Sequence, residues 1–168
     1  VQRGVALADF NGNGRVDIVC GTDGETLYLI YDDGTIAEGF PFEADNDFRS
    51  APSILDYNGE KIIFGGSRDD SFYAVNSDGT LRFQVETGND VISSAGFTEL
   101  NGSPAVFFGS SDGFLYGVDL DGNALNGFPI ETTGDVNSSP IFAVLDSESN
   151  EMAVISGNEG GDMLAYTL

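Results

Sequence analysis

The stretch Gly109-Ser110-Ser111-Asp112-Gly113-Phe114-Leu115-Tyr116-Gly117-Val118-Asp119-Leu120-Asp121-Gly122 decides the fold. It reads as the small-residue end of one strand, a tight Asp-Gly turn, an aromatic and apolar strand, and a second Asp-Gly turn. The phrase recurs as Gly21-Thr22-Asp23-Gly24, Leu27-Tyr28-Leu29-Ile30 and Asp33-Gly34, and again as Gly66-Ser67-Arg68-Asp69, Phe72-Tyr73-Ala74-Val75 and Asp78-Gly79. A fourth, decayed copy is Gly157-Asn158-Glu159-Gly160 and Met163-Leu164-Ala165-Tyr166. Successive copies stand roughly 43–48 residues apart, a period that belongs to radial or stacked repeat folds.

Working outward from the phrase, each copy sits in a unit of short strands. Unit one holds Val5 to Asp9, Ile18 to Thr22, Leu27 to Tyr31 and the piece Gly39-Phe40-Pro41-Phe42. Proline cannot donate a ladder hydrogen bond, so that last piece is an edge or strand end. Unit two runs from Ser50-Ala51-Pro52-Ser53 through Ile62 to Gly65 and Phe72 to Val75, ending at Leu81 to Val85. Unit three runs from Ser93-Ser94-Ala95 to Gly127-Phe128-Pro129-Ile130, and unit four from Ser138-Ser139-Pro140 through Met152 to Ile155 to Leu168, with no fourth strand. The expected architecture is all-β: a β-propeller of four repeat units with four-stranded antiparallel blades, the last incomplete. The blades are 1–49, 50–92, 93–137 and 138–168. Small residues at the unit starts suit crowded inner strands. The continuous apolar runs suit strands buried on both faces. A β-sandwich, the competing fold, gives no reason for one phrase to recur.

Composition agrees. Thirteen Phe, six Tyr and 23 Gly supply strands and turns, and no window keeps a helical apolar period. The formal net charge is −22, with one lysine, Lys61, and five arginines. That balance argues against nucleic acid, which needs clustered Lys and Arg, and against anionic membrane surfaces. No run is long and apolar enough to span a bilayer. A lone thiol, Cys20, lies in an apolar run and reads as a small buried hydrophobe. The chain begins with Val1 and reads as processed or excerpted.

The Ser-Ser-Pro, Gly-Ser-Ser-Asp-Gly-Phe-Leu-Tyr and Gly-Phe-Pro-Ile phrases resemble the FG-GAP and VCBS repeats, and the neighbouring PQQ-like repeats, of β-propellers. The resemblance spans essentially the whole chain. It implies the propeller fold but spreads over adhesins, lectins, scaffolds and enzyme domains, so function has to come from sites.

The sharpest site is Asp9-Phe10-Asn11-Gly12-Asn13-Gly14-Arg15-Val16-Asp17. Oxygen-bearing side chains stand at Asp9, Asn11 and Asn13, with a glycine next, as in the first half of a calcium loop. A hard cation needs oxygens converging from a tightly bent loop. The main-chain carbonyl of Arg15 takes the next ligand position, and Asp17 would close the site, as FG-GAP-type calcium loops do by resemblance. Units two and three join the same strands through short Asn58-Gly59 and Asn101-Gly102 turns, so the longer loop of unit one is not needed for the hairpin. The expected cofactor is Ca²⁺. Asp146, Glu148 and Asn150 form a second, poorer candidate without the glycine. The remaining Asp-Gly pairs read as turn chemistry, and the repeat tyrosines as interblade packing. Acidic residues between units, among them Asp45, Asp47, Glu86 and Asp90, read as a solvated rim of one face.

Histidine is absent, which removes triads, Cys-His dyads and imidazole acid-base chemistry. No carboxylate pair stands out for glycosidic chemistry. The quinoprotein branch of the resembled propellers carries repeated tryptophans, and this chain has none. The expectation is therefore a non-catalytic, extracellular or cell-surface module with structural calcium, binding a protein or carbohydrate partner. The alternative is a structural building block: half or a fragment of a larger ring, associating with itself through the open blade edge.

Overall fold

Two Asn-Gly turns show how the blades are made. Strands β5 (Ser53–Tyr57) and β6 (Glu60–Gly66) meet through Asn58 and Gly59, at φ of 53° and 82°. Both values are left-handed, as the type I′ hairpin turn requires. Asn101 and Gly102 repeat it between β9 (Gly96–Leu100) and β10 (Ser103–Gly109). In the first repeat the corresponding strands, β1 (Val5–Ala8) and β2 (Asp17–Gly21), are separated by the longer loop instead.

The computed structural model describes residues 3–146 and 151–168. The first blade is completed by β3 (Thr26–Ile30) and a two-residue β4 (Phe42–Glu43), and the second by β7 (Ser71–Asn76) and β8 (Leu81–Glu86). The third adds β11 (Phe114–Val118) and β12 (Ile130–Glu131), and the fourth consists of β13 (Ile141–Asp146), β14 (Glu151–Gly157) and β15 (Met163–Thr167). Each blade is an antiparallel meander in chain order, with four strands in the first three sheets and three in the last. Pro41 stands just before β4 rather than within a ladder, as its missing N–H demands. Among the described residues no helix is long and apolar enough to cross a membrane, which says nothing of strands.

Because side chains alternate across a strand, each middle strand sends apolar groups to both faces. One face of blade 2 (Ile63, Tyr73, Val75) packs on Val19, Leu27 and Leu29 of blade 1. Its other face (Ile62, Phe64, Phe72, Ala74) packs on Val106, Phe108 and Val118 of blade 3. Ala105, Phe107 and Leu115 of blade 3 then meet Phe142, Val154 and Tyr166 of blade 4. The tightest contact is the stack of Phe72 on Phe108, with centroids 3.8 Å apart and planes 8° from parallel, extended by Tyr116 at 5.0 Å from Phe108. Cys20 is buried, as its apolar run implied.

The small residues at blade starts have a polar task as well. The Ser50 hydroxyl accepts the Gly66 N–H at 2.6 Å, Ser93 accepts that of Gly109 at 2.8 Å, and Ser138 that of Gly157 at 2.9 Å. Each serine caps the end of its blade's second strand, where the ladder has run out of partners.

Phe72→Ala should cost about 3–5 kcal/mol, the range for emptying a buried aromatic site. Leu81→Ala, at an exposed position, should stay within about 0.5 kcal/mol. Urea unfolding of both variants checks the difference, and equal losses would mean that the blade 2–blade 3 stack does not hold the fold.

Candidate functional site

The loop between β1 and β2 is wound around its own side-chain oxygens. Asp9 Oδ1 accepts the N–H of Gly12 at 2.7 Å and of Asn13 at 3.2 Å, and its Oδ2 accepts that of Gly14 at 2.8 Å. Asn11 Oδ1 accepts from Asn13 N–H at 3.1 Å, and Asn13 Oδ1 from Arg15 N–H at 2.8 Å. Gly12 and Gly14 take φ of 76° and 83°, the left-handed bends that let alternate residues turn to one side. The backbone amides, the Gly14 N–H above all, hold the Asp9 carboxyl below its ordinary pKa.

Asp17 lies beneath the loop and is fully buried. Its Oδ2 accepts the Phe10 N–H at 2.7 Å and its Oδ1 the Asp32 N–H at 2.9 Å. One carboxylate thereby ties the loop to the turn after β3. Each of its oxygens retains a second lone pair.

Asp32, which directly precedes the Asp33-Gly34 turn, belongs to the site. Its Oδ1 accepts from the Asn13 side-chain amide at 2.7 Å and its Oδ2 from Arg15 Nη1 at 3.0 Å. These bonds, the one from Asn13 foremost, hold the Asp32 carboxyl below the usual range. No local spacing marks Asp32, because the hairpin register alone brings it beside Asn13. The structure thus gathers Asp9, Asn11, Asn13, Arg15 and Asp17 with Asp32 into one network.

The donors are oxygens of the kind that a hard cation takes, and Asp9, Asn11 and Asn13 are already curled onto one turn, so the residues fit such an ion. Among the described residues no three acidic or thiol side chains converge to hold a metal by themselves. A cation here would draw on amide and main-chain oxygens too. Of the second candidate set, Glu148, Asn150 and the side chain of Asp146 lie outside the described residues.

The repeated aspartates do more than turn chemistry. Asp69 Oδ2 accepts the Tyr73 hydroxyl at 2.7 Å and the Asp45 N–H at 3.0 Å. Asp112 Oδ2 accepts the Tyr116 hydroxyl at 2.7 Å and the Gly88 N–H at 2.8 Å. Each pair latches its blade to the segment arriving from the blade before, and the Asp-x-x-x-Tyr spacing is the signal for it. Burial, reinforced by the neighbouring carboxylate, pushes both phenols well above the ordinary tyrosine range. The acidic rim is partly neutralised: Arg49 pairs with Asp47 at 3.1 Å and Arg68 with Asp90 at 2.9 Å. Arg3, Arg49 and Arg68 line one cavity of about 220 Å³, a grouping that sequence separation conceals.

Asp17→Ala removes the acceptor of two main-chain N–H groups and should cost about 2–4 kcal/mol in urea unfolding. Amide exchange at Phe10 and Asp32 should accelerate with it; unchanged exchange there would mean that the carboxylate does not staple the loop. Asp9 and Asp32 titrate below the unfolded value of 3.8, so they favour the folded loop at neutral pH. That contribution is lost as pH falls through 3.8 and then through the lower folded values. The amide resonances of Gly12 and Gly14 should therefore move only below the ordinary carboxylate midpoint, and movement above it would contradict the bonding described.

Residues 2–37, which hold the first three strands of the first blade and the loop between β1 and β2, match the FG-GAP repeat. No curated protein sequence matches the chain. Solved structures similar in fold include the computationally designed Ika4 protein, at TM-score 0.68 and 17% identity over 100% of this chain and 93% of that one. Sqt1 of Saccharomyces cerevisiae is similar at TM-score 0.75 and 15% identity, over 98% of this chain and 44% of that one. BBS1N, solved in complex with ARL6DN, is similar at 0.62 and 13%, over 96% and 50%. The chain thus spans about half the length of the latter two. Four face-packed antiparallel meanders and a repeat in register through all of them make the chain a β-propeller, and its first blade carries a match to the FG-GAP repeat.

Proposed function

We propose that this propeller is a non-catalytic binding module of an exported surface, with a calcium ion held by Asp9, Asn11, Asn13, the Arg15 carbonyl and Asp17. The observation that carries the reading is the Asp9 loop, wound so that its side-chain oxygens lie on one turn. The FG-GAP match covers this same loop, and FG-GAP repeats are typical of extracellular proteins. Bound there, calcium would supply a fixed positive centre among Asp9, Asp17 and Asp32 in a chain of net charge −22. Two carboxylates offer formal neutrality, which suits the weak affinity, about 10⁻⁴–10⁻³ M, of extracellular modules. The partner is a protein or a carbohydrate met on the acidic loops. Absence of histidine supports a non-catalytic role.

A second reading, a structural building block, is favoured by a separate observation: apolar side chains stay exposed on the outer faces of both terminal blades.

A thermal melt in millimolar calcium, compared with the same melt in chelator and in magnesium, tests the ion site. Ten times Kd of calcium stabilises by about 1.4 kcal/mol, which raises the midpoint by a few degrees. The shift should be specific to calcium and should vanish in Asp9→Ala while the strand signal in circular dichroism persists. An unshifted midpoint in the unaltered chain would remove calcium from the function.

A further inference from the structure

One position of the repeat can be followed through all the blades. Leu27, Phe72, Leu115 and Met163 each pair with the glycine that ends the second strand of their blade: Gly21, Gly66, Gly109 and Gly157. The first three are fully buried, facing the next blade, whereas Met163 is 83% exposed. The glycines behave alike. A Cβ on Gly66 or Gly109 would collide with the main-chain carbonyl of Val91 or Val136, residues that lead into the next blade, and one on Gly21 would collide with Phe48. On Gly157 it would meet nothing nearer than 3.7 Å. Blade 4 presents to solvent the face that the other blades cover.

Blade 1 shows the reciprocal face. Ile63, Val106 and Val154 are fully buried against the preceding blade, but Ile18, in register with them, is 39% exposed. Its ladder partner Leu7 is 56% exposed, where Ile54, Phe97 and Phe142 are half-buried. Three apolar clusters join the four blades, and among the described residues none joins blade 4 to blade 1.

We propose that these two faces cover each other between two copies of the chain: blade 4 of one copy docks head to tail on blade 1 of a second, and the reciprocal contact closes a ring of two chains. Both faces continue the interfaces already built between blades. Across them Phe64 meets Phe97 at 5.1 Å and Phe107 meets Phe142 at 5.4 Å. Carried one blade further, the same register sets the half-buried Ile155 against Leu7 of the second copy, an aliphatic pair in place of an aromatic one. Phe48, Val91 and Val136 stand at one interval before Ile54, Phe97 and Phe142. Those three residues are the covers of Gly21, Gly66 and Gly109. Gly157 is the one glycine of this set whose cover is missing among the described residues. Such a contact is heterologous, so it forms a ring only if the blade-to-blade rotation closes, and otherwise a filament.

The test is mass in solution, by light scattering after gel filtration at tens of micromolar chain and physiological ionic strength, for the unaltered chain, Met163→Asp and Leu7→Asp. The unaltered chain should have twice the mass of one chain. Each variant, changed at a position exposed in the single chain, should have the mass of one with an unchanged circular dichroism spectrum. A single-chain mass for the unaltered protein overturns the proposal and leaves the faces to other blades or another partner. So does an open-ended series of larger species. A paired mass that only one of the two variants disrupts would indicate like faces packed together, and would overturn the head-to-tail arrangement.

Discussion

Every sheet in this molecule is apolar on both faces, and that constraint governs the rest. A sheet with one wet face can be stable with one neighbour, but blades 2 and 3 bury side chains in both directions and need two. The repeat follows from this demand, since a unit that must fit its neighbour on each side is most simply a unit like its neighbour. The Phe72–Phe108 stack at the centre is where the demand is met most fully.

Polar side chains work at the margins of this packing, where the ladders end. Serine hydroxyls cap the exhausted second strands, and Asp69 and Asp112 latch each arriving segment while holding a tyrosine that packs between blades. Blade 1 departs from the pattern. Gly24 stands where its copies have Asp69 and Asp112, and the polar investment goes into the Asp9 loop and its buried anchor Asp17. A buried carboxylate that satisfies two main-chain amides lets a long loop keep a defined shape on a short hairpin.

The terminal blades expose what the inner blades hide. Exposed Leu7 and Met163 occupy positions of the repeat whose copies in the inner blades are covered.

The sequence by itself determined the propeller, because a phrase repeated with turn glycines and apolar strands leaves few folds that use it. It also determined the short turns at Asn58-Gly59 and Asn101-Gly102, the place of Pro41 at an edge or strand end and the oxygen spacing of Asp9, Asn11 and Asn13, all of which are local. Tertiary structure alone decided that Asp32 joins that loop, that Asp69 and Asp112 reach back to Asp45 and Gly88, and that Arg3, Arg49 and Arg68 share a cavity. It also decided which copies of one repeated apolar position are covered. Pattern reports that a residue is suited to burial, whereas burial itself is a relation between two surfaces, and the second surface stands a whole blade away in sequence.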